Sequence, residues 1–419
     1  MTNKEIHELR KTEPRFFYGY IVVIAAFFIM VVSWAAYNSF GVFLKPLLDE
    51  FGWTSAMTSG AFSLSMIIYG VLGIVVGVLT DRFGPRVVIT ICGLLLGLGY
   101  LLMSLVSNPW QLYLFYGVII GIGMSGVWVP QLSTVARWFI RRRTLMTGIV
   151  IAGAGVGQLI GPPVITRLIY TYDWRLSFII IGGVLLLAVV LIAQLMRRDP
   201  TQMGQRPYGE NEGEQQGLES GTKDFYFKES VYTAQFWLAF FLFLCYGYGS
   251  FAFIVHIVPH AIELEISAAS AANILASMGG AGIFGNYVLG GLADRIGNRQ
   301  IFIIGCIVMS AALFWLVPAR ETWMFYLFAV VFGFVFGGMG AAESPIVARL
   351  FGLSSHGLIY GVVHLGFTVG AAIGPFVTGY IFDITGGYQM AWLVCAVFAV
   401  VGIILAALLK PTKKLGGRI

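Results

Sequence analysis

Gly77-Val-Leu-Thr-Asp81-Arg82-Phe-Gly84-Pro-Arg86 returns later in the chain as Gly290-Gly-Leu-Ala-Asp294-Arg295-Ile-Gly297-Asn-Arg299, and Asp81 and Asp294 are 213 positions apart. The same displacement carries Gly157, Gly161 and Pro162 onto Gly370, Gly374 and Pro375. A displacement of 212 carries Val135-Ala-Arg137-Trp-Phe139 onto Val347-Ala-Arg349-Leu-Phe351. Three matches at nearly one offset imply two homologous halves in a single chain.

What surrounds the repeat is apolar. Of 419 residues, 58% are hydrophobic and 11% charged, with a mean hydropathy of +0.84, which excludes an ordinary soluble globule. The 53 Gly and 14 Pro are spread through apolar runs of about 20 residues, the length of a membrane-crossing helix, and form no collagen-like period. Reading between charged and turn-rich breaks gives twelve spans, near 17–44, 57–79, 87–106, 110–136, 145–166, 176–196, 233–256, 269–292, 301–318, 323–348, 357–381 and 388–409. The expected fold is therefore an all-α membrane protein of twelve helices in two pseudo-symmetric six-helix bundles. The bundles should occupy 1–196 and 231–419, joined by a flexible polar linker over 197–230 that is rich in Gly, Glu and Gln.

Charge sets the orientation. Of 26 Lys and Arg, only Lys45, Arg167, Arg175 and Arg320 fall on the side opposite the termini, and the other 22 share the termini's side. Basic loops mark the cytoplasm, so both ends are expected there, in the plasma membrane and with no cleavable signal. The net charge of +6 is thus topological and suggests no nucleic-acid partner. Cys92, Cys245, Cys306 and Cys395 are single and widely spaced, so neither disulfides nor metal ligation is expected. The sequence contains no phosphate-binding GxxxxGK[ST] loop and no HExxH pair, and the chain is read as neither an enzyme nor an ATP-driven pump, with no cofactor.

The paired GxxxD-R-x-G-x-R loops, the long middle loop and the two six-span halves resemble the major facilitator superfamily over essentially the whole chain. Ser39-Phe-Gly41-Val-Phe43-Leu-Lys45-Pro46, Ala136-Arg137-Trp138-Phe139 with Arg142, and Gly374-Pro375 with Phe382-Asp383-Ile-Thr-Gly386 are similar to its monocarboxylate porter branch, whose bacterial relatives include oxalate/formate exchangers. The resemblance implies one substrate cavity between the halves, alternately open to each side, and an organic anion moved together with H⁺. It also implies a proton and substrate role for Lys45. The branch usually carries an arginine eight residues before the motif aspartate; here that position is Asn286, and the position of an aspartate one turn earlier is Gly282. Asparagine supplies hydrogen bonds but no charge, so another group has to provide positive character or the solute is less charged.

Ionisable groups inside a bilayer cost about 2.5–3.5 kcal/mol at a helix centre, so each needs a partner, water or a proton. Glu343, the counterpart of Gln131 in the repeat, and His364, with Tyr360 one turn before it, are the candidate relay groups. His256, beside Tyr246, Tyr248 and His260, is either a functional or an interfacial residue, and Lys45 either serves the solute or reaches to the headgroups. Substrate contacts are expected among Tyr37, Asn38, Lys45, Gln131, Tyr246, His256, Asn286, Tyr360 and His364, and proton coupling at Lys45, Glu343 and His364. Asp81, Arg82, Asp294 and Arg295 are expected to clamp the cytoplasmic ends of the halves in the outward-facing state. The reading is a monomeric secondary transporter of a small organic anion. A proton-coupled exporter of neutral or amphipathic compounds, suggested by Asn286 and by the glycines before Pro162-Pro163, and a transporter-like sensor are the alternatives.

Overall fold

The computed structural model describes residues 17–139, 143–208, 225–352 and 356–410, apart from a few side chains within helices. Twelve helices among them are long and apolar enough to cross a membrane. We number them α1 (Gly19–Tyr37 continued by Phe40–Phe51), α2 (Ser55–Phe83), α3 (Pro85–Met103), α4 (four segments, Pro109–Leu112, Tyr113–Ile120, Gly121–Ser125 and Val129–Trp138), α5 (Arg143–Tyr172) and α6 (Trp174–Ala193). The second half holds α7 (Ala234–Glu263), α8 (Ala268–Ile296), α9 (Asn298–Leu316), α10 (Thr322–Phe351), α11 (His356–Thr385) and α12 (Gln389–Leu408). At 1.5 Å per residue, the 30-residue helices α5, α7, α10 and α11 are about 45 Å long and project beyond a hydrocarbon core of about 30 Å.

The sequence repeat is a repeat of packing. A Cβ on Gly157 would lie 2.4 Å from the Val31 carbonyl oxygen, and one on Gly161 would lie 2.3 Å from that of Ala35, so α5 touches the backbone of α1. In the second half, Gly370 and Gly374 stand in the same relation to the carbonyls of Leu244 and Tyr248, at 2.0 and 2.4 Å, where α11 touches α7. Lipid gives no hydrophobic push between helices, so close backbone approach at small residues is what holds such pairs together. The motif loops repeat in conformation as well. Gly84 has φ +83° and Gly297 φ +99°, a region that side chains rarely adopt, and each ends one helix one residue before the next begins.

Both ends of the middle stretch are packed against the bundles. Tyr208 donates its backbone N–H to the Trp138 carbonyl at 2.9 Å, while Trp138 Nε1 donates to the Arg197 carbonyl at 2.9 Å. Phe225 bonds the Phe351 carbonyl at 2.9 Å in the second half. The glycine- and glutamate-rich centre, 209–224, lies outside the described residues.

The halves meet through α2 against α11, α5 against α8 and the second segment of α1 against α7. These contacts gather towards one end of the bundle. There the backbone N–H groups of Ser55 and Ala56 donate to Asp383 at 2.9 and 2.8 Å, and Ser59 Oγ donates to the Pro375 carbonyl at 3.2 Å. A Cβ on Gly41 would come within 2.4 Å of the Val255 carbonyl. The motif loops lie at the opposite end, where Arg82, Phe83 and Arg295 are exposed. Asp81 and Asp294 occupy the last turns of α2 and α8, but their side chains lie outside the described residues, so the expected clamp between them is not described. The bundle is thus sealed at the Asp383 end.

Candidate functional site

The repeat places Gln131 of α4 and Glu343 of α10 at equivalent positions in the two halves, and their surroundings differ. Glu343 is buried, and His364 Nδ1 lies 2.8 Å from its Oε2 while the Tyr360 hydroxyl donates to the same oxygen at 3.1 Å. Both partners come from α11, one helical turn apart, as i and i+4 positions on one face. An ionised carboxylate only accepts, so Nδ1 carries a hydrogen whenever Glu343 is charged. The imidazole stacks on Phe367 with ring centres 5.2 Å apart, and the side chain remains 27% exposed. Phe367 also meets Tyr246, whose hydroxyl donates to the Phe336 carbonyl at 2.7 Å. Tyr246, Glu343, Tyr360 and His364 therefore form one polar and aromatic group drawn from α7, α10 and α11.

Facing it from the first half are Trp34, Tyr69 and Trp128. Tyr69 of α2 is within Coulombic range of Glu343 and Tyr360, across the boundary between the halves. Trp34 sets its ring edge against Tyr69 at 6.4 Å and against Trp128 at 5.9 Å. Gln131 lies one turn beyond Trp128, fully buried, with neither amide atom hydrogen-bonded.

The remaining sequence candidates lie outside the group of Tyr246, Glu343, Tyr360 and His364, although Tyr37 sets its ring against Trp34 with centres 5.8 Å apart. Tyr37 is part of the first half's core, where its hydroxyl is 2.7 Å from Ser65 Oγ and its ring stacks on Tyr116. Asn38, at the break in α1, donates to Gln158 Oε1 at 3.4 Å and ties α1 to α5. Lys45 is ion-paired with Asp49, one turn along its own helix, in an exposed position. His256 is fully buried near the sealed end; its Nε2 donates to the Pro375 carbonyl at 2.8 Å, which leaves Nδ1 to accept from the Tyr388 hydroxyl at 3.3 Å. His260 is held similarly, accepting from Trp392 Nε1 at 3.0 Å. Both imidazoles are thereby engaged in neutral hydrogen bonds. Asn286 is half-buried on α8 and continues the line of Gly279 and Ile283, which pack on Gln158 and Gly155 of α5.

Nothing in the sequence pattern marks Trp34, Tyr69 or the contact of Asp383 with α2 as functional. Pro130 and Gly126 gave a usable signal for the interruption in α4, because proline cannot donate the N–H that would continue the helix. His/Cys/Asp/Glu clusters able to hold a metal do not occur among the described residues.

A twelve-helix bundle built from a duplicated six-helix unit, sealed at one end and holding an ionisable pair on the inner face of one half, defines a secondary membrane transporter. The chain belongs to the Major Facilitator Superfamily, whose model matches residues 26–290 and 239–417. It is 29% identical over 349 residues to the "Uncharacterized MFS-type transporter YhjX" of Escherichia coli (strain K12), covering 81% of each chain. It is 28% identical over 402 residues to monocarboxylate transporter 2 of Homo sapiens, covering 91% of this chain and 83% of that one. A solved bacterial homologue of the human lysosomal transporter Spinster, inward-facing and unoccupied, shares the fold with a TM-score of 0.77 at 17% identity, over 94% of this chain and 97% of that one.

Proposed function

We propose that this transporter moves a small organic anion of the monocarboxylate class across the plasma membrane together with H⁺. The observation that carries this reading is the Glu343–His364 pair, a carboxylate and an imidazole 2.8 Å apart between membrane helices. With one proton shared, the pair is neutral or internally balanced. A second proton, neutralising Glu343 while His364 is cationic, presents one net positive charge to the interior. A monocarboxylate entering that state makes a neutral complex, which is the species least costly to carry through low-dielectric surroundings. The coupling then follows from charge balance, one proton for each anion.

The predominance of basic residues on the motif-loop side supports a cytoplasmic placement of both termini. The sealed Asp383 end would then face outward. Arg82 and Arg295, with Asp81 and Asp294, would engage when the cytoplasmic side closes. His256 and Lys45, held in contacts at the sealed end, take no part in the proton step in this conformation.

Purified protein in liposomes tests the reading. Labelled lactate, pyruvate, formate or oxalate should exchange, and an inward proton gradient should accumulate at least one of them. Exchange restricted to hydrophobic drugs would replace this reading with export, and binding without exchange would replace it with sensing.

A further inference from the structure

Helix α4 does not cross the bilayer as one piece. Its middle, Tyr113–Ile120, is wound as a π-helix, and after Ser125 the chain turns through Gly126–Trp128 before helix resumes at Val129. Pro130 stands in the first turn of the resumed segment, which runs ten residues to Trp138, and no side chain caps its start. The equivalent part of α10 is continuous, so the break is a property of the first half alone. An uncapped helix start inside a membrane carries free backbone N–H groups and the positive end of a helix dipole. Backbone of that kind is tolerated at such depth where it faces protein or a water-filled cavity.

Two side chains at this break have the same unmet need. Gln131, the third residue of the resumed helix, is 0% exposed and both its amide atoms lack a partner. Trp34, 8% exposed, packs edge-on against Trp128, the residue that precedes the helix, and its Nε1–H is also unpartnered. Buried donors without acceptors are costly and rare, and Trp34 joins the break in α4, through Trp128, to Tyr69 of α2.

We propose that the start of the Val129–Trp138 segment is the carboxylate-binding site of this transporter, with Trp34 Nε1–H and Gln131 Nε2–H₂ as donors to the anion. The inference rests on the organic-anion reading above and specifies where the anion is held. It also accounts for Asn286: fixed donors and a helix dipole on α4 do the work for which a guanidinium on α8 is absent. The anion sits on the first half and the proton on Glu343–His364 of the second, so loading both draws opposite charges on the two halves towards each other.

The test measures half-saturating concentrations for exchange of labelled pyruvate and of labelled lactate in proteoliposomes. Trp34→Phe keeps an aromatic ring at this position and removes the N–H together with the five-membered part of the indole; Gln131→Met keeps the length and removes the amide. Each should raise the half-saturating concentration about tenfold, the size expected for losing one charge-assisted hydrogen bond. Gln131→Glu should abolish exchange at neutral pH by placing a carboxylate beside the anion. The two positions are on different helices, so misfolding of one variant leaves the other decisive. Unchanged half-saturation in both Trp34→Phe and Gln131→Met, with wild-type exchange intact, would overturn this site and leave the transport reading standing. A wild-type protein that exchanges no organic anion would overturn both.

Discussion

Asp383 Oδ1 accepts the backbone N–H of Ser55 at 2.9 Å, so the last turn of α11 in one half caps the first turn of α2 in the other. The second carboxylate oxygen takes the Ala56 N–H at 2.8 Å, and the two free donors of a helix start are satisfied from across the molecule. Separation of the halves at that end would break this bond. Asp383→Asn keeps the shape and loses the charge, and because the group is exposed the expected loss is about 1 kcal/mol, roughly a fivefold shift towards the conformation open at that end. Distances between spin labels on cysteines at Tyr170 and Glu321, both exposed at that end, should lengthen in the variant. An unchanged distribution would remove Asp383 from the gate.

Glu343→Gln should separate exchange from accumulation. The amide holds no proton, so uptake driven by a pH gradient is expected to fall at least tenfold while exchange with no gradient continues. Comparing the two assays on one preparation checks this, and gradient-driven uptake at the wild-type rate would dismiss the pair as the coupling site.

His364→Ala should lower both activities, because it removes the imidazole beside Glu343 and leaves the Tyr360 hydroxyl bonded to the carboxylate. Gradient-driven uptake and gradient-free exchange of labelled pyruvate, measured on one preparation, should both fall. Wild-type rates in both assays would contradict the proposed pairing.

Lys45→Ala tests the family role on a residue that is tied to Asp49 on the protein's exposed rim. Surface pairs of this kind contribute about 0–1 kcal/mol. Thermal unfolding in detergent should change little, and gradient-driven uptake should stay within about twofold of wild type. A collapse of uptake would show that Lys45 leaves Asp49 to serve the solute in another conformation.

Gly161→Ala should destabilise the first half, because the new Cβ would sit 2.3 Å from the Ala35 carbonyl and force α5 from α1. Overpacking of this kind costs about 1–3 kcal/mol. Gly183→Ala, with nothing within 4 Å of its Cβ, is the control and should unfold as wild type. Melting curves of the two variants give the comparison directly.

The fold was legible in the sequence because a bilayer permits few solutions. Backbone groups in lipid must bond within their own helix, so twenty-residue apolar runs count the spans and basic loops orient them. The duplicated glycines went further: Gly157 and Gly370, read as a repeat, turned out to mark the same helix contact in each half. Glu343 and His364 were each recognisable as candidates because charge inside a membrane demands a partner, and the spacing of Tyr360 and His364 put those two on one helix face.

What the sequence by itself determined, then, is the number, direction and duplication of the helices, together with the presence of ionisable groups that had to be neutralised. Only the tertiary structure decided which polar residues share a place. Tyr37, Asn38 and His256 have side chains as suited to solute contact as those of the central group, yet they are spent on Ser65, Gln158 and Pro375. Hydrogen bonds between helices far apart in the chain depend on rotation and depth, which periodicity leaves free. The break in α4 and the cap that Asp383 places on α2 exist because two segments 328 positions apart, or an interrupted and a continuous copy of one helix, settle against each other in three dimensions.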